Sequence, residues 1–261
     1  MSTLSILMYH RIVPTAAERS AMAVSLPDFV AQMALLARER VAVLPLEAVL
    51  LLQGAGIVPS RPTVALTFDD GYAATCDRVE AVFARTGYVG TLYLTTGLVG
   101  QRDPLDGTGE GALTWAAIRQ MRQLRIAAHT VSHPRLALLP LAAVRRELRE
   151  SKAHLEHELG RPVTQFAYPF GSYTALVRDE VRAAGYTSAG TVRRGPLRGG
   201  DDPWRLRRIT IDGRDSPAIF VQKVLTGYGS SYEQCVSGVR DTVVRLPGIH
   251  DLTERYFRGR V

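Results

Sequence analysis

The chain has 261 residues, 46% hydrophobic and 22% charged, an ordinary globular balance that excludes a disordered or fibrous protein. No apolar run approaches the ~18 residues that a membrane-spanning helix needs. The formal charge of +7 favours anionic encounters, but the arginines are scattered and no basic stretch is interleaved with aromatics, which argues against nucleic acid as a partner.

The elements follow in chain order. Residues 5–9 read as a strand ending at His10. A helix over 27–40 has Ser25 as its N-cap and Phe29, Val30, Met33 and Leu36 on one stripe. A short strand (41–44) and a helix (46–53) stopped by Gly54 and Gly56 come next. A β-rich run over 63–68 ends at Asp69-Asp70-Gly71, and the helix over 73–86 closes on Gly87. A strand at 89–94, a glycine-rich loop (97–111), a Thr114-capped helix to 123 and a strand (126–128) lead to His129. The longest helix, 141–159, stops at Gly160. A strand (165–168), a helix (174–184) and strands at 187–191 and 206–211 complete the pattern, with a helical remainder. This alternation predicts a parallel α/β sheet or barrel, and without internal repeats or linkers it predicts one domain over residues 1–261.

The polar residues mark a site. His10, Asp69-Asp70, His129 and the Tyr168-Pro169-Phe170-Gly171 turn each fall at or just after a strand end. In a parallel barrel those ends open onto one face, where barrel enzymes place their chemistry. His129 and His133 are four residues apart, a spacing that sets both imidazoles on one side of a helical turn. Taken alone, that spacing suits two surface histidines. With Asp70 it becomes two imidazoles and a carboxylate, a usual ligand set for a catalytic zinc-type ion. Zinc is the default, and the same set accepts nickel, cobalt or iron. Asp69 and Asp70 would repel at a strand end unless one binds a cation and the other is left as a base.

Thr67-Phe68-Asp69-Asp70-Gly71 and His129-Thr130-Val131-Ser132-His133 resemble the T-F-D-D-G and H-[ST]-x-x-H motifs of the polysaccharide deacetylase (NodB-homology) family of carbohydrate esterases. The resemblance implies a distorted (β/α) barrel that hydrolyses the N-acetyl amide of an amino sugar. It assigns Asp69 as catalytic base and Asp70, His129 and His133 as metal ligands. The family's R-P-P-Y-G motif is here Ala167-Tyr168-Pro169-Phe170-Gly171, so its arginine is missing, and Arg208 or Arg207 is the expected substitute. The Phe170 backbone N–H is a candidate oxyanion donor; Tyr168, Trp115 and Arg208 complete the substrate-binding candidates.

Met8-Tyr9-His10-Arg11 resembles the branch that includes biofilm poly-N-acetylglucosamine deacetylases, which makes His10 the expected acid in place of His250. The expected partner is an N-acetylated glycan or sugar conjugate. A catalytically silent glycan binder and a deacylase of a nucleotide- or lipid-linked sugar are the alternatives. Cys76 and Cys235 read as free thiols. With no charged leader before the short apolar run, a cytoplasmic location is expected. The oligomeric state and the native metal stay open.

Overall fold

The computed structural model describes residues 3–101 and 111–230. Cys235, His250 and most of the glycine-rich loop lie outside them. The main sheet has eight strands, all pairing in parallel: β1 (Leu4–Tyr9), β4 (Ala42–Val43), β5 (Thr63–Asp70), β6 (Gly90–Leu94), β7 (Leu124–Ala128), β8 (Gln165–Ala167), β9 (Ser188–Gly190) and β10 (Ile209–Thr210). They run in the order β10-β1-β5-β6-β7-β8-β9, with β4 beside β5. Helices α1 (Leu26–Arg38), α2 (Leu46–Gly54), α3 (Ala73–Thr86), α4 (Trp115–Gln120), α5 (Leu141–Leu159), α6 (Ala175–Ala183) and α7 (Pro217–Thr226) surround the curled sheet. Two short strands not anticipated from the sequence, β2 (Arg11–Val13) and β3 (Ala23–Ser25), pair separately. Among the described residues no helix is long and apolar enough to cross a membrane.

Alternation along each strand divides the core. Leu7, Tyr9, Leu66, Phe68, Leu92 and Phe166 meet the helices, where Phe29 and Met33 of α1, Val79 and Phe83 of α3 and Leu148 of α5 pack against them. The inner face carries Leu4, Ile6, Ala65, Tyr93, Ala127, Ala167 and Leu206, plugged at one end by Leu46 and Val49 of α2. Both faces of the strands are therefore buried, as parallel sheets covered by helices require. The helix ends follow local chemistry. Ser25 accepts a hydrogen bond from the Asp28 N–H, and Gly87 and Gly160 terminate α3 and α5 in the left-handed region.

One stripe assignment is corrected. Val30 is 48% exposed, whereas Gln32 is buried and accepts a hydrogen bond from the Tyr9 hydroxyl at 3.0 Å. A buried phenol needs an acceptor, so a polar residue occupies the helical stripe that a purely apolar reading gives to Val30.

The two edges of the sheet are drawn together by residues 206–210. Leu206 bridges to Gly190 on β9, while Ile209 pairs with Leu7 on β1. The Thr191 N–H bonds the Leu206 carbonyl at 2.9 Å, and the Ile211 N–H bonds Met8 at 3.0 Å. Arg208 lies between these two seams.

Candidate active site

The C-terminal strand ends converge as expected. Asp69 is the penultimate residue of β5, 4% exposed. Asp70 would point to the opposite face by simple alternation, but its φ of 79° breaks the pleat. Asp tolerates that left-handed conformation better than most residues. Gly71 follows at φ 105°, where a Cβ would lie 2.5 Å from Leu94 Cδ1. The acid pair is thus split: Asp69 faces inward, and Asp70 turns to the two histidines.

Asp70 Oδ1 is 3.6 Å from His129 Nε2 and 3.3 Å from His133 Nε2, and one donor atom from each residue falls within 4.8 Å of the others. Tetrahedral coordination with bonds of about 2.0–2.1 Å separates ligand atoms by about 3.3 Å, so the set fits a zinc-type ion. His129 Nδ1 is 2.8 Å from the Ala167 carbonyl, which can only accept, so Nδ1 carries the proton and Nε2 keeps its lone pair. Burial lowers the His129 pKa to about 4, against the pull of Asp69, and keeps the ring neutral as a ligand must be.

The histidine pair is not on a helix. Thr130 and His133 have φ of 69° and 58°, and the segment is a tight turn. It is shaped from below by Glu147 of α5, a buried carboxylate that accepts from the Val131 N–H at 2.8 Å, the Ser132 N–H at 3.0 Å and Ser132 Oγ at 2.6 Å. The sequence reading missed Glu147. A glutamate and Ser151 within the buried stripe Val144-Leu148-Leu155 were the available sign of it.

Arg208, the substitute expected for the missing motif arginine, reaches Asp69. Its two terminal nitrogens donate to Asp69 Oδ1 at 2.7 Å and Oδ2 at 2.8 Å, and the arginine is fully buried. Burial alone would raise the Asp69 pKa, but the charge of Arg208, with the nearby imidazoles and the Arg208 hydrogen bonds, outweighs it and lowers it to about 2. Room for the guanidinium comes from small neighbours. A Cβ on Gly190 would sit 3.0 Å from Arg208 Nε, and Ala167, the register partner of Gly190, is also small. The alternative, Arg207, points away and lies 3.5 Å from Asp201.

His10 follows β1 at the same face, half-buried, and its charge lowers the pKa of both Asp69 and Asp70. Phe170 adopts φ 56° and sets its ring 4.7 Å from that of His133. The turn's backbone bonds are made by the Gly171 and Ser172 N–H groups, which leaves the Phe170 N–H outside them. Two candidates are corrected. The Tyr168 side chain is 1% exposed, packs on Phe166 and Tyr173, and donates to the Trp204 carbonyl, because a side chain at this register faces the helices. Trp115 packs against the core and places its ring 4.7 Å from His154 of α5, which puts it with the helical layer.

The family profile for polysaccharide deacetylases matches residues 57–189, which span both acid and histidine motifs. The chain belongs to the polysaccharide deacetylase family. Membership places it among the carbohydrate deacetylases, hydrolases that act on N-acetylated sugars. YxkH of Bacillus subtilis (strain 168), described as a polysaccharide deacetylase, is 26% identical over 220 residues, covering 83% of this chain and 74% of that one. The Streptococcus pyogenes deacetylase PplD, solved with acetate, superposes with a TM-score of 0.75 at 24% identity, covering 85% of this chain and 98% of its own. IcaB from Ammonifex degensii gives 0.74 at 24% identity, over 86% and 96%. The shared fold is the NodB-type (β/α) barrel.

Proposed function

We propose that this deacetylase is a metal-dependent amidase that removes the acetyl group from an N-acetylated amino sugar. The observation that carries the reading is a two-histidine, one-carboxylate cluster beside a second carboxylate clamped by a buried arginine. Asp70, His129 and His133 would hold the ion. When bound, a zinc-type ion supplies an acidified water, with a pKa near about 7, and a Lewis-acidic contact for the acetyl carbonyl. Asp69 accepts the proton of the attacking water on a carboxylate oxygen. Its bidentate contact with Arg208 uses one lone pair per oxygen and leaves the others available. A carboxylate held near 2 is a weak base, and the acidity that a bound ion would give the water would offset that weakness. The Phe170 N–H, outside the turn's own hydrogen bonds, would donate to the developing oxyanion. His10, protonated, gives its proton to the departing amine, leaving acetate and a free amino sugar. The orienting arginine on Asp69 counts against a binding-only relative, whose base would have no need of a fixed geometry.

The deciding experiment is acetate release from N-acetylglucosamine oligomers and sugar nucleotides, before and after metal removal. Chelation should abolish release and added zinc should restore it. Release unaffected by complete metal removal, or none from any substrate despite stoichiometric metal, would overturn the reading.

The acid assignment makes its own prediction. His10→Ala should lower kcat by about 100-fold or more, the usual scale of general-acid assistance, while His250→Ala should change it little. The opposite order would move the role to His250.

A further inference from the structure

We infer that Arg135 and Phe170 form a specificity subsite for an acidic group, carboxylate or phosphate, carried by the substrate beside its N-acetyl sugar. The inference rests on the deacetylase reading above. Arg135 follows the second histidine by two residues, and its guanidinium carbon lies 4.3 Å from the centre of the Phe170 ring. Phe170 in turn meets His133 edge-on at 4.7 Å, so a single aromatic ring separates a fixed cation from a metal-binding imidazole. Phe170 is 50% exposed despite its size. Its left-handed backbone keeps the ring at the rim of the site, away from the core where its neighbour Tyr168 is packed. The two loops are tied together by a hydrogen bond from the Ala137 N–H to Ser172 Oγ at 3.4 Å.

Arg145 and Arg214, also exposed, pair with Glu180 and Asp212, whereas Arg135 lies against an aromatic ring at the rim of the site. Arg135 is exposed and has no carboxylate partner among the described residues. The cation–π contact engages one face of the guanidinium and makes no demand on its N–H donors, which keep the planar fork suited to a carboxylate or phosphate. A neutral glycan gives such a fork only hydroxyls to bind. An acidic neighbour supplies the missing counter-charge, and the chain's net charge of +7 would assist its approach.

The test uses the full, zinc-loaded chain and three probes: a neutral N-acetylglucosamine tetramer, an alternating N-acetylglucosamine–glucuronic acid tetramer, and N-acetylglucosamine 1-phosphate. At least one acidic probe should show a lower KM than the neutral one, with the advantage shrinking as salt is raised. Arg135→Gln should raise the KM of that probe about tenfold more than that of the neutral one, with kcat affected alike, the scale of one charge-assisted hydrogen bond. The probe that responds distinguishes carboxylate from phosphate. Equal effects on acidic and neutral probes would reduce Arg135 to a support for the Phe170 ring and overturn the subsite. So would a neutral probe favoured by the wild-type chain. Acetate from none of the three would instead strike at the deacetylase reading and remove this inference with it.

Discussion

Asp69→Asn should reduce acetate release by about 1,000-fold or more while the chain still takes up one equivalent of metal. General-base assistance is worth about 100- to 10,000-fold, and Asp69 stands beside the Asp70, His129 and His133 cluster without being part of it. The substitution is nearly isosteric, so Asp70, His129 and His133 keep their positions. It has a structural cost as well, because Arg208 would lose its counter-charge while remaining buried. Stranding one member of a buried pair costs about 3–5 kcal/mol, so Tm must be measured beside kcat. A variant that stays folded at the assay temperature, binds metal and turns over normally would remove Asp69 as the base.

The second large effect belongs to Arg208. In Arg208→Met the carboxylate of Asp69 keeps its burial and loses the strongest charge opposing it, so its pKa rises from about 2. The acid limb of the pH–rate profile should then move upward, together with a marked fall in Tm. Arg208→Lys restores a positive charge without the two-pronged geometry. It should recover most of the Tm while kcat remains about 10- to 100-fold low, the scale on which partners of functional groups act. Measuring both variants separates charge from orientation. If Arg208→Lys recovers kcat fully, the fork has no positioning role; if Arg208→Met leaves the acid limb in place, Arg208 does not set the state of Asp69.

The chemistry was more legible in the sequence than the means that support it. Strand ends carrying His10, Asp69-Asp70 and His129 could be read because apolar runs stop abruptly at polar residues, and α5 could be bounded by its apolar stripe and Gly160. The turn holding His129 and His133 could not. A four-residue spacing fits a helix, and the actual conformation depends on left-handed residues and on Glu147, which reaches the turn from a different element. Tyr168 and Trp115 stand near motif residues, which suggests a substrate role, but proximity in sequence does not say which face of a strand or helix a ring occupies. The gap at Ala167 points to Arg208. Its partner, 139 residues earlier, became visible only when the sheet closed.

That separation ties the chemistry to the order in which the chain is completed. The two sequence motifs, and with them Asp69, Asp70, His129 and His133, are present by residue 133, yet the arginine that pairs with Asp69 arrives with the segment that bridges β9 and β1. A nascent or truncated chain ending before this seam would carry every residue by which the family is recognised and still present an unclamped Asp69. The Asp69–Arg208 pair is therefore a property of the joined sheet edges and of neither motif alone.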